Sequence, residues 1–143
     1  MNRRNFVRSG LLAGTALAGG LKMAHAAPGD RPAEPFRLKY APHLGMFKHH
    51  AGEDPIDQLL FMADQGFQAF EDNGMKSRDV SLQEKMAKTM AKRNLEMGVF
   101  VAHKIYWSEP NLTGGQKDRR DEFLENIRES VADAKRVNAK WMT

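Results

Sequence analysis

The stretch that decides the fold is Phe67 to Met75, FQAFEDNGM. Its first four residues are apolar or aromatic apart from one glutamine, which predicts a short buried strand. The strand runs directly into a polar group, Glu71 to Asn73, which is followed by Gly74. In parallel α/β folds, functional sites are built at the carboxyl ends of the strands. The stretch therefore predicts a strand that ends at such a site.

Similar stretches occur before and after this one. Phe36 to Ala41 and Met97 to Ala102 are also predicted strands, and each is followed by a histidine. Ala139 to Thr143 has the pattern of a fourth strand at its start. Helical patterns separate the strands, so the order is β-α-β-α-β-α-β, which indicates a parallel sheet with right-handed crossovers. On this pattern alone, a barrel and an open doubly wound sheet both fit.

Local signals predict where the three helices begin and end. Asp54 as N-cap and Pro55 at the first helical position predict the start of the first helix, and Gly66 its end. The second helix is predicted to open at Ser81, with Glu84 completing a capping box. The third is predicted over Asp118 to Asn138, with an apolar stripe along one face.

The first 26 residues have the features of a twin-arginine signal peptide. Arg3 and Arg4 precede a short, weakly apolar run from Gly10 to Leu21, and Ala24-His25-Ala26 matches a small-x-small cleavage site. The run is too short for a membrane span, and an anchor that stays attached is the less favoured alternative. Residues 27–35 are then a proline-rich linker. Periplasmic location follows, with the twin-arginine export machinery as a partner.

The charge of the chain argues against nucleic-acid binding. The predicted signal holds four of the 22 Lys and Arg residues and none of the 18 Asp and Glu residues, so residues 27–143 have no formal net charge. A nucleic-acid-binding domain needs a basic patch on its folded part. The chain contains no cysteine, so an exported form has to be stable without disulfides. The turn after the first strand, APHLGMF, also differs from a glycine-rich phosphate loop.

Three segments, FRLKYAPHLGMF, GFQAFEDNGM and LEMGVFVAHKIYW, resemble the opening units of the sugar isomerase/epimerase superfamily. That superfamily has a xylose-isomerase-like TIM barrel, and the hydroxypyruvate-isomerase-like branch is the most similar. The resemblance implies that residues 36–143 form the first half of a (β/α)8 barrel: three βα units and the start of strand four. A complete barrel typically needs about 250 residues.

The resemblance also implies a function. Members of the superfamily use two glutamates that face each other across the barrel to move a proton between adjacent carbons, and many hold a divalent metal ion, Mg, Mn or Zn. Both glutamates belong to later strands, beyond Thr143, so no catalytic residue is assigned and the 143-residue chain alone is expected to be inactive. The expected substrate is a small polar sugar or hydroxy-carbonyl compound, and a second copy of the chain is a further candidate partner.

Two other functions stay open on the same barrel. One is a metal-dependent sugar epimerase, and the other is an exported sugar-binding protein without catalysis. Additional metal ligands on later strands favour the first, and absence of the glutamate pair favours the second.

Four residues are candidates for substrate binding: His43, Glu71, His103 and Trp107. For His43 the alternative is a loop histidine bonded to the backbone. For Trp107 it is a hydrophobic residue that folds back onto the core. Glu71 shares the parity of Ala69 and is expected to point into the barrel, where its alternative role is a buried ion pair with Lys39. His103 is a candidate for substrate or metal binding.

Overall fold

The computed structural model describes residues 33–143, which form a mixed α/β fold with a parallel sheet. The predicted signal, residues 1–26, lies outside the described residues, as does most of the predicted linker. The α-helices are α1 (Lys48–Ala51), α2 (Pro55–Asp64), α3 (Val80–Arg93) and α4 (Lys117–Val137). The strands are β1 (Ala69–Phe70) and β2 (Glu96–Met97), and a 3₁₀ helix covers Met75–Ser77. None of the helices in residues 33–143 is long and apolar enough to cross a membrane.

The sheet continues beyond its two strands through backbone hydrogen bonds. β1 and β2 are parallel, with Ala69 opposite Glu96 and Phe70 opposite Met97. On the other side of β1, His43 forms a parallel bridge with Glu71. In this bridge the Glu71 amide donates to the Pro42 carbonyl at 3.0 Å, and the Leu44 amide donates to the Glu71 carbonyl at 2.9 Å.

The last residue of the chain makes the same type of contact with the segment after β2. The Thr143 amide donates to the Phe100 carbonyl at 2.9 Å, and the Ala102 amide donates to the Thr143 carbonyl at 2.7 Å. This two-bond pattern is that of a parallel pair centred on Val101. Four segments of the chain therefore lie side by side in the order of the sequence.

The expected first strand, Phe36 to Ala41, is wrong, because the pairing begins two residues later, at His43. The Tyr40 amide donates to the Leu38 carbonyl at 3.1 Å, a local turn that withdraws this backbone from sheet pairing. The side chains of Phe36, Leu38 and Tyr40 are all exposed, so neither face of the segment is covered by the helices. Phe36 instead stacks on Phe67, with ring centroids 4.8 Å apart.

The helix starts are correct for α2 and only approximate for α3. The Asp54 side chain accepts a hydrogen bond from the Ile56 amide at 2.7 Å, which confirms the N-cap. α3 begins one residue before the predicted site, at Val80, so Ser81 and Glu84 lie inside the helix and are exposed. The capping box is therefore wrong. α4 ends at Val137, close to the predicted bound, with Asn138 in the left-handed conformation.

The core lies between the sheet and the helices α2, α3 and α4. Phe70 and Phe100 from the sheet are fully buried there, and Met62 of α2 and Met86 of α3 pack in the same cluster with no exposed surface. The flexible methionine side chains fill the space between helix and sheet, as expected from the helical stripes. This packing covers one face of the sheet and fixes the positions at which its carboxyl ends emerge.

Candidate functional site

His43 and Glu71 lie next to each other at the carboxyl ends of the first two paired segments. Partners in a parallel bridge project their side chains to the same face, and both residues are half-buried. Nδ1 of His43 is 2.5 Å from the Leu44 carbonyl oxygen, and the Asn73 amide lies 3.5 Å from Nε2. A proton on Nδ1 satisfies both contacts, because Nδ1 then donates and Nε2 accepts. The backbone therefore fixes the orientation of the His43 ring, which supports the alternative role weighed for this residue.

The expected ion pair between Lys39 and Glu71 is wrong. Nζ of Lys39 instead donates to Oε1 of Glu96 at 2.8 Å, and both side chains are about half-exposed. The reason is register: His43 is opposite Glu71, so Lys39 lies four residues earlier in the chain, where it reaches Glu96 at the amino end of β2. The hydrogen bond from Lys39, reinforced by the charges of Lys39 and Lys140, holds the pKa of Glu96 below its ordinary value.

Glu71 is thus left as a carboxylate without an ion-pair partner within residues 33–143. Its neighbours on the sheet are small: a Cβ atom placed on Gly98 would be 3.5 Å from the Cβ of Glu71 and 3.7 Å from that of Ala41. The small neighbours leave room beside the carboxylate on this face. Such a group can accept hydrogen bonds from the hydroxyl groups of a ligand.

Asp72 anchors the loop that follows Glu71, a role that the sequence analysis missed. Its side chain is 2 % exposed and accepts two hydrogen bonds from Arg78, at 2.5 Å to Oδ2 and 3.1 Å to Oδ1. The Gly74 amide donates to the same Oδ1 at 3.1 Å. Gln83 of α3, also buried, donates to the carbonyls of Met75 and Arg78. The Asp-Asn-Gly sequence is a signal that could have indicated this turn.

His103 lies in a shallow depression between the segments that follow β1 and β2. Its Nδ1 is 2.9 Å from the Lys104 carbonyl oxygen, and its ring meets Phe123 edge-on at 4.9 Å. The depression has a volume of about 340 Å³ and is lined by polar and basic residues with one valine: Asn73, Lys76, Ser77, Val101, His103, Lys104 and Asn126. Because Asn73 also contacts His43, the depression adjoins the His43–Glu71 pair.

Trp107, on the loop after β2, is 89 % exposed, so it does not fold back onto the core. The loop is held by its neighbour Tyr106, whose hydroxyl donates to Glu122 of α4 at 2.5 Å. The Arg119 guanidinium lies over the Tyr106 ring at 3.8 Å, and Nζ of Lys104 at 4.6 Å. Hydrogen bonding to Tyr106, followed by the charges of Lys104 and Arg119, holds the pKa of Glu122 below its ordinary value despite desolvation. Tyr106 and Glu122 also raise the pKa of Lys104.

Residues 33–143 contain no cluster of three or more His, Asp or Glu side chains that could hold a metal ion. His43, with both ring nitrogens in backbone contacts, is a poor ligand in this arrangement. The divalent metal ion stays a prediction from the resemblance. Comparisons with protein-family models, curated proteins and solved structures found no match.

Proposed function

We propose that this chain forms the first units of a (β/α)8 barrel and acts as an exported, hydroxypyruvate-isomerase-like protein. The order of the paired segments is the observation that carries the proposal. In a doubly wound sheet with strand order 3-2-1-4, the fourth strand lies beside the first. Here Thr143 pairs with the third segment, at Phe100 and Ala102. This neighbour order supports consecutive strands of a barrel over the 3-2-1-4 order.

The site supports a small substrate with hydroxyl groups. Isomerisation of hydroxypyruvate removes a proton from the carbon that carries the hydroxyl group and returns a proton to the neighbouring carbonyl carbon. The hydroxyl proton passes to the former carbonyl oxygen, so that the hydroxyl carbon becomes the aldehyde and the carbonyl carbon becomes the alcohol. On the proposed barrel, glutamates of later strands carry out this transfer. Glu71 accepts a hydrogen bond from a substrate hydroxyl, and the His43 ring forms the adjoining wall. The described candidates are assigned to substrate binding, and the divalent metal ion stays a prediction from the resemblance.

Export belongs to the same proposal. The twin arginine at positions 3 and 4 directs the protein to the periplasm, and the Ala24-His25-Ala26 site releases residues 27 onward. This route accepts proteins that are already folded, which fits a chain without cysteine.

The experiment is an isomerase assay on the protein that the complete gene encodes, expressed without residues 1–26. Hydroxypyruvate should be converted into its aldehyde isomer, and Glu71→Gln should lower kcat/KM roughly tenfold, because a hydrogen bond to a charged acceptor is replaced by a weaker one to a neutral amide oxygen. Glu84→Gln is the matched control, since Glu84 is exposed on α3 away from the site. If the parent protein isomerises neither hydroxypyruvate nor a small sugar, the proposed function is wrong. Equal activity of Glu71→Gln and the parent would remove Glu71 from the site.

A further inference from the structure

The depression beside His103 has a lining of one charge sign. Two lysines, an imidazole, two carboxamides and a hydroxyl surround it, and every carboxylate stands outside the lining. Its walls come from the loop after β1, the segment after β2 and helix α4. A volume of about 340 Å³ is enough for a small molecule but too small for a macromolecular partner.

Both lysines are held in place by groups behind the depression. Nζ of Lys76 contacts Glu129 at 2.9 Å and the Asn126 carbonyl at 3.4 Å, and its side chain is only 23 % exposed. Nζ of Lys104 lies 3.7 Å from Glu122 and over the Tyr106 ring. An ammonium group has three N–H donors, so each lysine keeps donors for a ligand after these contacts.

We propose that this depression binds the oxyanion group, a carboxylate or a phosphate, of the substrate whose hydroxyl groups meet Glu71. The inference rests on the proposed function, because it places the charged end of the same substrate beside the His43–Glu71 pair. Asn73 joins the two places: its amide contacts His43, and the residue lines the depression. The substrate class is then an anionic hydroxy-carbonyl compound, in preference to a neutral sugar.

Direct binding is measured from the changes in amide NMR shifts when a probe is added to the protein that the complete gene encodes, expressed without residues 1–26. Hydroxypyruvate and inorganic phosphate serve as the carboxylate and phosphate probes, and dihydroxyacetone serves as the uncharged comparison. The amide signals of Asn73, Lys76, Lys104 and Asn126 should shift with an anionic probe, and the tighter probe identifies which oxyanion the site prefers. Lys76→Met and Lys104→Met should each weaken that binding roughly fivefold, as expected for a partly exposed charge pair. Lys88→Met, on the exposed surface of α3, should leave the affinity unchanged.

Kinetics separate this inference from the proposed function. If the protein isomerises hydroxypyruvate, the two lysine variants should raise its KM while leaving the KM for an uncharged hydroxy-carbonyl substrate unchanged. Isomerisation with the same KM in both variants would overturn the oxyanion site and leave the isomerase in place. Binding of an anionic probe at these residues without any isomerisation would overturn the proposed function and leave the site. No shift with either anionic probe would overturn the site.

Discussion

Single residues hold the site together through contacts that the sequence pattern shows only in part. His43 and Glu71 were expected at neighbouring strand ends, and they are adjacent because a parallel bridge pairs the two segments at these residues. The partner of Lys39 could not be predicted, because parity gives the face of a strand but not its register. The burial of Asp72 could not be predicted from the sequence, because it depends on the ion pair with Arg78, six residues later in the chain.

Asp72→Ala should destabilise the fold by about 2–4 kcal/mol, because it leaves Arg78 and the Gly74 amide without their acceptor. The lower part of this range applies if Arg78, which is 25 % exposed, turns into water. Urea unfolding measures the difference in the free energy of unfolding. The control Glu84→Ala removes an exposed carboxylate from α3 and should stay within about 0.5 kcal/mol. A cost of Asp72→Ala no larger than that of an inert Glu84→Ala would show that Asp72 is not an anchor. A cost of Glu84→Ala well above about 0.5 kcal/mol would show that Glu84 does cap the helix.

The contact between Tyr106 and Glu122 should make stability depend on pH. Because the folded-state pKa of Glu122 is lowered, its charged form is favoured by folding. The stabilisation is present above the ordinary glutamate value and is lost as the pH falls through the lowered folded-state value. The difference in urea midpoint between the parent and Glu122→Gln should therefore shrink from pH 7 to pH 3. In a Tyr106→Phe background the same comparison should depend less on pH; an unchanged dependence would contradict this cause.

Helices and strands differ in how far local sequence predicts them. The start of α2 follows from Asp54 and Pro55, because a cap and a proline act within one turn. The prediction of the first strand was wrong because a strand needs hydrogen-bond partners from elsewhere in the chain. The Tyr40 amide instead donates to the carbonyl of Leu38, two residues before it. Trp107 shows that side-chain contacts are equally hard to predict at the site. The sequence shows the aromatic pair Tyr106-Trp107, but only Tyr106 contacts α4, and Trp107 is exposed to solvent.

The turn between α2 and β1 gives a test at this scale. Gly66 has φ +89°, and a Cβ atom there would lie 2.5 Å from the Glu34 carbonyl oxygen. Gly52 has a similar φ of +82°, but its Cβ atom would meet nothing within 4 Å. Gly52→Ala should cost about 1–3 kcal/mol for the backbone alone, because φ +82° with ψ −174° lies in a region that is essentially restricted to glycine. Gly66→Ala should cost at least about 1 kcal/mol more, because the backbone of residues 33–36 has to move. Equal melting temperatures of the two variants would contradict this close approach.

The whole molecule presents one covered face and one open face of its sheet. Helices α2, α3 and α4 bury Phe70 and Phe100 on the covered side. The open side carries Glu71 and Gly98, and Trp141 near the chain end is 71 % exposed. A parallel sheet is normally covered on both faces. The parallel sheet was predicted from the sequence pattern, whereas the barrel half rests on the resemblance and stays a prediction, as does closure of the ring.

Export can be tested on the whole precursor. The apolar run of the predicted signal is weak and is interrupted by Gly19, Gly20 and Lys22, so the twin arginine should be essential. Changing Arg3 and Arg4 together to Lys should keep the precursor in the cytoplasm, as measured by fractionation and by the size difference of residues 1–26. The control is Arg8→Lys, which leaves the pair intact. Normal periplasmic accumulation of the double variant would contradict the assignment.

The neighbour order of the paired segments also determines when each can form during synthesis. Glu71 meets His43, and Glu96 meets Ala69, so each segment emerging from the ribosome finds its partner already made. Thr143 likewise reaches Phe100 and Ala102, which precede it by one helix. If a later strand had to pair with the first strand, that edge of the nascent sheet would stay unpaired until the later residues were synthesised. This chain can instead add one strand and one helix at a time, which shortens the exposure of unpaired edges while the protein is being made.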